Sequence, residues 1–328
     1  MATLVTGGTG FVGASIVKEL AGAGHQVISL DLNAPDELMR SFLGDGSAQV
    51  TFVTGDILER TFLERTLLER TPAIDKIVHA AVYTVNRIPV ETERSREIVD
   101  INITGTTNLL ELARRLRVQR FVYVSSGAAY GAAGPPDQTF NEDAAPRPDF
   151  LYGITKYTSE LLTRRYGELH QLSTASVRLS TPYGPMERVT GHRGVMSVLY
   201  QWTGQALRGE TISLADPDAG RDYTYVADIA DGVRTVLDAP ALPHDLYNLT
   251  AGRWITYSEI LERLKEILPE TKVEVVLGAG DAARSSEPTR GPLSGHRLYQ
   301  DRGWTPKYDL ATGLRQYLAW RRSAPFLD

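Results

Sequence analysis

The chain has 328 residues, of which 42% are hydrophobic and 23% charged, with a formal net charge of −5 and no cysteine. That composition is ordinary for a water-soluble globular protein; it excludes disulfides, thiolate metal sites and cysteine nucleophiles, and it offers no basic footprint for nucleic acid or an anionic membrane. A strand-like run begins at Ala2 and no apolar stretch reaches the ~18 residues of a membrane span, so the expectation is a cytoplasmic protein without a signal peptide.

In chain order, short Val- and Ile-rich runs alternate with helix-length segments up to residue 180. ATLVT, QVISLD, VTFVTGD, KIVHAA, RFVYVSS and TASVRLS read as buried strands. FVGASIVKELAGAG and NITGTTNLLELARRLRV lie between them, the second with Leu109, Leu112 and Leu116 at helical spacing. This alternation predicts an α/β fold: a doubly wound Rossmann parallel sheet with helices on both faces. After residue 180 turns such as TPYGP and LADPDAG separate shorter elements, with helices expected over Ser258–Leu268 and near Leu310–Arg321. Residues 127–149 and 278–303 read as irregular, and loops of that length are usually functional or mobile. The expected division is an NAD-binding domain over 1–180, to which the chain returns around 221–250, and a smaller C-terminal α/β cap over 181–328.

LVTGGTGFVG ends the first strand and opens the first helix. Gly7, Gly10 and Gly13 are spaced three apart, and Gly8-x-Gly10-x-x-Gly13 fits the dinucleotide fingerprint. Glycines allow the tight turn and let backbone approach a pyrophosphate at the positive helix N-terminus, here opened by Phe11 and Val12. Asp31 closes the second strand 18 residues after Gly13, near the ~20 expected of a carboxylate that binds an adenosine ribose. No Arg or Lys follows in DLNAPDE to neutralise a 2′-phosphate, so NAD is expected rather than NADP.

YGITK, residues 152–156, raises a question of its own. A Tyr with Lys four places on is expected by chance about 0.3 times at this composition, so context decides. The context is the strand end YVSSGAAYG about 25 residues upstream, together with GDI, HAA, RLSTPYGP, RDYTYVADIA and DRGWTPKYDLATGLRQYL in order along the chain. With the glycine loop, this set resembles the extended short-chain dehydrogenase/reductase family, which includes sugar-nucleotide epimerases and dehydratases. The chemistry agrees. Oxidising a secondary alcohol needs a base for the hydroxyl proton, and a free tyrosine, pKa ~10, is too weak at neutral pH. A lysine ammonium one helical turn away, about 6 Å along the axis, with a cationic nicotinamide, favours phenolate; a shift of ~3 units takes about 4 kcal/mol.

The resemblance implies Tyr152 as general acid or base, Lys156 as its partner and a ligand of the nicotinamide ribose, and Ser126 on the reacting oxygen, with Ser125 the alternative. It places Asp56 and Ile57 at the adenine and Ala80 and Ala81 along the cofactor channel, with Asn102 supporting the neighbouring helix. It implies Arg221, and more loosely Arg284, on a substrate diphosphate. It also implies a homodimer pairing the helices near 100–117 and 152–167.

Two departures matter. Dehydratases and decarboxylases of this family carry an acid after the catalytic Ser or Thr; Gly127-Ala128 stands there instead. Thr181 replaces the usual Asn, and MERVTGHRGVMS is short, with Arg188, His192 and Arg193 suited to a carboxylate or a smaller sugar. Tyr83, Asn86 and Arg87 are expected near the substrate, His79 reads as a structural strand-end histidine, and His192 as no metal ligand. The expected function is NAD-dependent hydride transfer at a sugar carbinol: a sugar-nucleotide C4 epimerase, alternatively a net dehydrogenase of a small sugar, sugar acid or hydroxy-carbonyl compound, or a non-catalytic NAD sensor.

Overall fold

The computed structural model describes residues 1–68, 73–85, 87–131, 136–193, 196–276 and 290–324. The first half alternates strands and helices: β1 (Ala2–Thr6), α1 (Phe11–Gly22), β2 (Val27–Asp31), α2 (Glu37–Leu43), β3 (Val50–Thr54), α3 (Arg60–Leu67), β4 (Ile74–His79), α4 (Ile88–Val99), α5 (Gly105–Leu116), β5 (Arg120–Ser126), α6 (Leu151–His170) and β6 (Thr174–Leu179). The second half is β7 (Thr181–Tyr183), α7 (Val198–Leu207), β8 (Thr211–Leu214), β9 (Gly220–Tyr225), α8 (Val226–Asp238), β10 (Leu246–Leu249), β11 (Trp254–Thr256), α9 (Tyr257–Ile267), β12 (Lys272–Val275), α10 (His296–Arg302) and α11 (Leu310–Ser323).

Seven strands form one sheet in the order β10-β6-β5-β4-β1-β2-β3, and every neighbouring pair is parallel. Adjacent apolar residues on a strand face opposite sides. Leu4, Ile77, Phe121 and Tyr123 pack with Leu109 and Leu112 of α5, while Val5, Val78, Val122 and Val124 pack with Ile16 of α1 and Val233 of α8. Burial on both faces is why these strands read as unbroken apolar runs. Strand order reverses between β1 and β4, and ligands of open α/β sheets bind in the crevice at such a switch point.

The later elements build a second core. Tyr183, Trp202, Tyr223, Ile255, Leu264 and Leu314 meet between the small β11-β9-β7 sheet and helices α7, α9 and α11. α8 and β10 lie elsewhere: α8 packs on α1 and β10 pairs with β6. α10 corrects the irregular reading of 278–303. Its one buried residue is Leu298, so seven residues carry no apolar period to detect. No helix among the described residues is long and apolar enough to cross a membrane.

Candidate active site

The crevice at the carboxyl ends of β1 and β4 is a cleft of about 1120 Å³. Gly7, Gly10, Phe11, Val12, Gly13, Asp31, Asp56, Ile57, Ala80 and Ala81 all line it. Gly7 has φ +67°, and a Cβ there would lie 2.8 Å from Cα of Ala81. A Cβ on Gly13 would lie 1.9 Å from the Gly7 carbonyl oxygen. Glycine is therefore required for loop, helix and β4 to close up. Gly10, the N-cap of α1, places no side chain over the helix start. The Asp31 carboxylate accepts from the backbone N–H of Thr9 at 3.1 Å and of Asn33 at 3.2 Å. Asp56 accepts from the Leu58 N–H at 2.8 Å. A backbone cradle at a positive helix end and a carboxylate on β2 fit a dinucleotide's diphosphate and ribose.

A second hollow of about 470 Å³ continues from the first, sharing Val12, Ala80, Thr84 and Arg193, and holds Ser126, Tyr152 and Lys156 in its wall. Tyr152 and Lys156 lie one turn apart on α6, facing the end of β5. Lys156 is 2% exposed, donates to the Val124 carbonyl at 2.6 Å, and its ammonium stands 5.8 Å from the Tyr152 ring centre. Burial pulls its pKa down to about 7, opposed by the Glu160 charge. Burial pushes the Tyr152 phenol above its ordinary value; the Ser126 hydrogen bond and then the Arg193 charge pull it back. Desolvation is the largest of the effects on the phenol, and Ser126, Arg193, Thr84 and Arg290 act against it.

Other expected residues stand elsewhere. The Ser125 hydroxyl faces this hollow but donates to Glu160 at 2.5 Å, so its proton is committed to the interior. Asn102 sits in a π-helical turn between α4 and α5 and lines neither hollow. Its amide binds both backbone groups of Tyr83 and the Thr155 hydroxyl, so it bolts α6 to the loop after β4. Tyr83 turns away from the substrate hollow into a small core with Val85 and Ile98, edge-on to His192. Arg188 reaches the glycine loop instead, paired with Asp36 and donating to the Thr9 carbonyl. His79 is fully buried between Thr6 and Thr106, and burial takes its pKa down to about 3, so it is neutral. Thr181, Arg193, Arg221 and Arg87 do line the Tyr152 hollow. Asn86 and Arg284 lie outside the described residues.

Sequence reasoning missed three groups. Arg290 lines the Tyr152 hollow, and a Cβ on Gly127 would fall 2.4 Å from its guanidinium, so this arginine occupies the space a side chain after Ser126 would take. Burial lowers its pKa to about 10 against the pull of Asp222. Asp222, buried beneath it, accepts from Thr250 and the Leu293 N–H, and burial raises its carboxyl to about 6. Glu160 forms a buried bidentate pair with Arg178 at 2.6 and 2.9 Å.

Residues 3–250 match the model of the NAD dependent epimerase/dehydratase family. The UDP-glucose 4-epimerase of Mycolicibacterium smegmatis is 29% identical, covering 98% of this chain and 99% of its own. The human dTDP-D-glucose 4,6-dehydratase is 26% identical over 97% of this chain and 89% of its own. The crystal structure of the Thermus thermophilus UDP-glucose 4-epimerase, a complex with NAD, superposes with a TM-score of 0.82 at 28% identity over 99% of this chain and all of that one. NAD is the cofactor. The chain is an enzyme and belongs to the NAD-dependent epimerase/dehydratase family of extended short-chain dehydrogenases/reductases.

Proposed function

We propose that the protein is a sugar-nucleotide epimerase that inverts a secondary carbinol, with C4 the reacting carbon. The observation that carries this reading is the placement of Ser126, Tyr152 and Lys156 where the cofactor cleft meets a hollow that also holds Arg221 and Arg290. Tyr152 takes the proton of the substrate hydroxyl and gives it back on reversal. Ser126 hydrogen-bonds the reacting oxygen, and Lys156 holds a positive charge one turn below. NAD, when bound, supplies a positive nicotinamide ring and a hydride acceptor able to return hydride to either face of a carbonyl. Arg221 and Arg290 offer two guanidinium groups to a diphosphate, the geometry for which arginine is best suited. Arg290 against Gly127 fills the place where a dehydratase holds its second acid, which argues against elimination. In this reading residues 1–180, with α8 and β10, hold the cofactor, and most of 181–328 holds the substrate.

Calorimetric titration of the NAD-loaded protein with UDP, dTDP and GDP tests this. One nucleoside diphosphate should bind at micromolar Kd, and its 4-epimeric sugars should interconvert with no reduced cofactor accumulating. Thr181 in the hollow favours a second reading, net oxidation of a small sugar or sugar acid. No binding of any nucleotide, with reduced cofactor formed one for one with product, would establish it.

The same reading carries a homodimer through α5 and α6. Ile154 and Leu161 of α6 are 40% and 45% exposed, seven places apart on one helix face. Sedimentation should give twice the 36.1 kDa chain mass; a monomer, or an Ile154→Lys variant that still dimerises, would remove this face from the interface.

A further inference from the structure

The cap reaches across the cofactor cleft, not only the substrate hollow. After β7 the chain runs over the cleft, and Arg188, Thr190, His192 and Arg193 form part of its wall. This strap is anchored on both sides. At one end Arg188 pairs with Asp36 and donates to the carbonyl of Thr9 at 3.3 Å, inside the glycine loop. At the other the Thr84 N–H donates to the His192 carbonyl at 2.9 Å. Its base is braced by Arg193 on the fully buried Glu187 at 3.0 Å.

The charges around the cleft say what Arg188 is for. The glycine loop LVTGGTGFVG carries no Lys or Arg, and the flanking strands bring Asp31 and Asp56. On α4 and the turn after it, Arg94 pairs with Glu97 and Arg96 with Asp100, so their charges are locally cancelled. Arg193 is committed to buried Glu187. A dinucleotide diphosphate carries two negative charges into a wall otherwise rich in acids. Arg188, held against the backbone of the phosphate-binding turn by the half-exposed Asp36, is the cation positioned to meet them.

We propose that Arg188, reaching from the cap, is a ligand of the dinucleotide diphosphate. Asp36 is its resting partner, not its functional one. The inference concerns the cofactor alone, so it stands or falls separately from the substrate reading.

The test is NAD binding, measured by calorimetry on NAD-stripped protein and by release after gel filtration. Arg188→Ala should raise the Kd for NAD about tenfold or more and speed its release, with the thermal midpoint of the stripped protein unchanged. Asp36→Asn keeps the oxygen that accepts the Met39 N–H at the start of α2 but removes the charge; it should leave NAD affinity equal or higher, because the guanidinium is freed for phosphate. Unchanged NAD affinity in Arg188→Ala would overturn the assignment. So would an Asp36→Asn variant that loses NAD as readily as Arg188→Ala, since the pair would then be only a latch between strap and loop.

Discussion

Tyr152→Phe is expected to lower kcat by about 10²–10⁴-fold, the usual worth of a positioned general acid–base, while NAD affinity and the fold are retained. The variant keeps the ring in the wall of the hollow and removes only the hydroxyl. The phenol sits in a dry place that pushes it away from ionisation, and the Ser126 hydrogen bond is the first of the effects that pull it back. Ser126→Ala should therefore raise the phenol further. A base must be deprotonated to act, so the limb of the pH–rate profile that reports the phenol should move to higher pH in Ser126→Ala, with a lower rate at pH 7. Steady-state profiles of the parent and both variants check this. A Tyr152→Phe enzyme with unchanged kcat would take Tyr152 out of the chemistry, whatever the substrate is.

What the sequence made legible follows from where information is local. The sheet was readable because strands buried on both faces are mostly apolar along their middle, as the FVYV of RFVYVSS is. The glycine loop was readable because Gly7 and Gly13 answer backbone demands that no side chain tolerates. Side-chain direction in loops is not local. Tyr83 and Arg188 flank the groove in sequence, yet Tyr83 is drawn into a core with Ile98 and Arg188 to Asp36, 152 positions earlier. Arg290 sits in TRGP, where nothing marks an arginine as facing inward. Glu160 did leave a signal. It continues the spacing of 152 and 156 on a buried helix face, and Arg178 interrupts the apolar run of β6, where an unpaired charge is rarely found.

That pair carries the largest expected effect on stability. Arg178 is 1% exposed and Glu160 7%, their two hydrogen bonds are bidentate, and the guanidinium lies 4.3 Å over the Tyr130 ring. Glu160→Ala leaves the guanidinium buried without its counter-charge and strips the Ser125 hydroxyl of its acceptor. Removing one partner of a buried pair costs about 3–5 kcal/mol. Replacing both by apolar residues, as in Glu160→Leu with Arg178→Met, should cost much less, because no buried charge is then left alone. Urea unfolding of the two variants gives the comparison. A single variant as stable as the double would show that water or another carboxylate reaches Arg178. The pair also bears on the chemistry, because the Glu160 charge is what holds Lys156 up against burial. Without it the ammonium should be lost at a pH below about 7. Lys156 would then be neutral over the range where Tyr152 needs a cation beside it, so Glu160→Ala should lose activity as well as stability. At matched folded fraction, the limb of its pH–rate profile that reports Lys156 should lie to the acid side of the parent's. A profile superposable on the parent's would confine Glu160 to the fold.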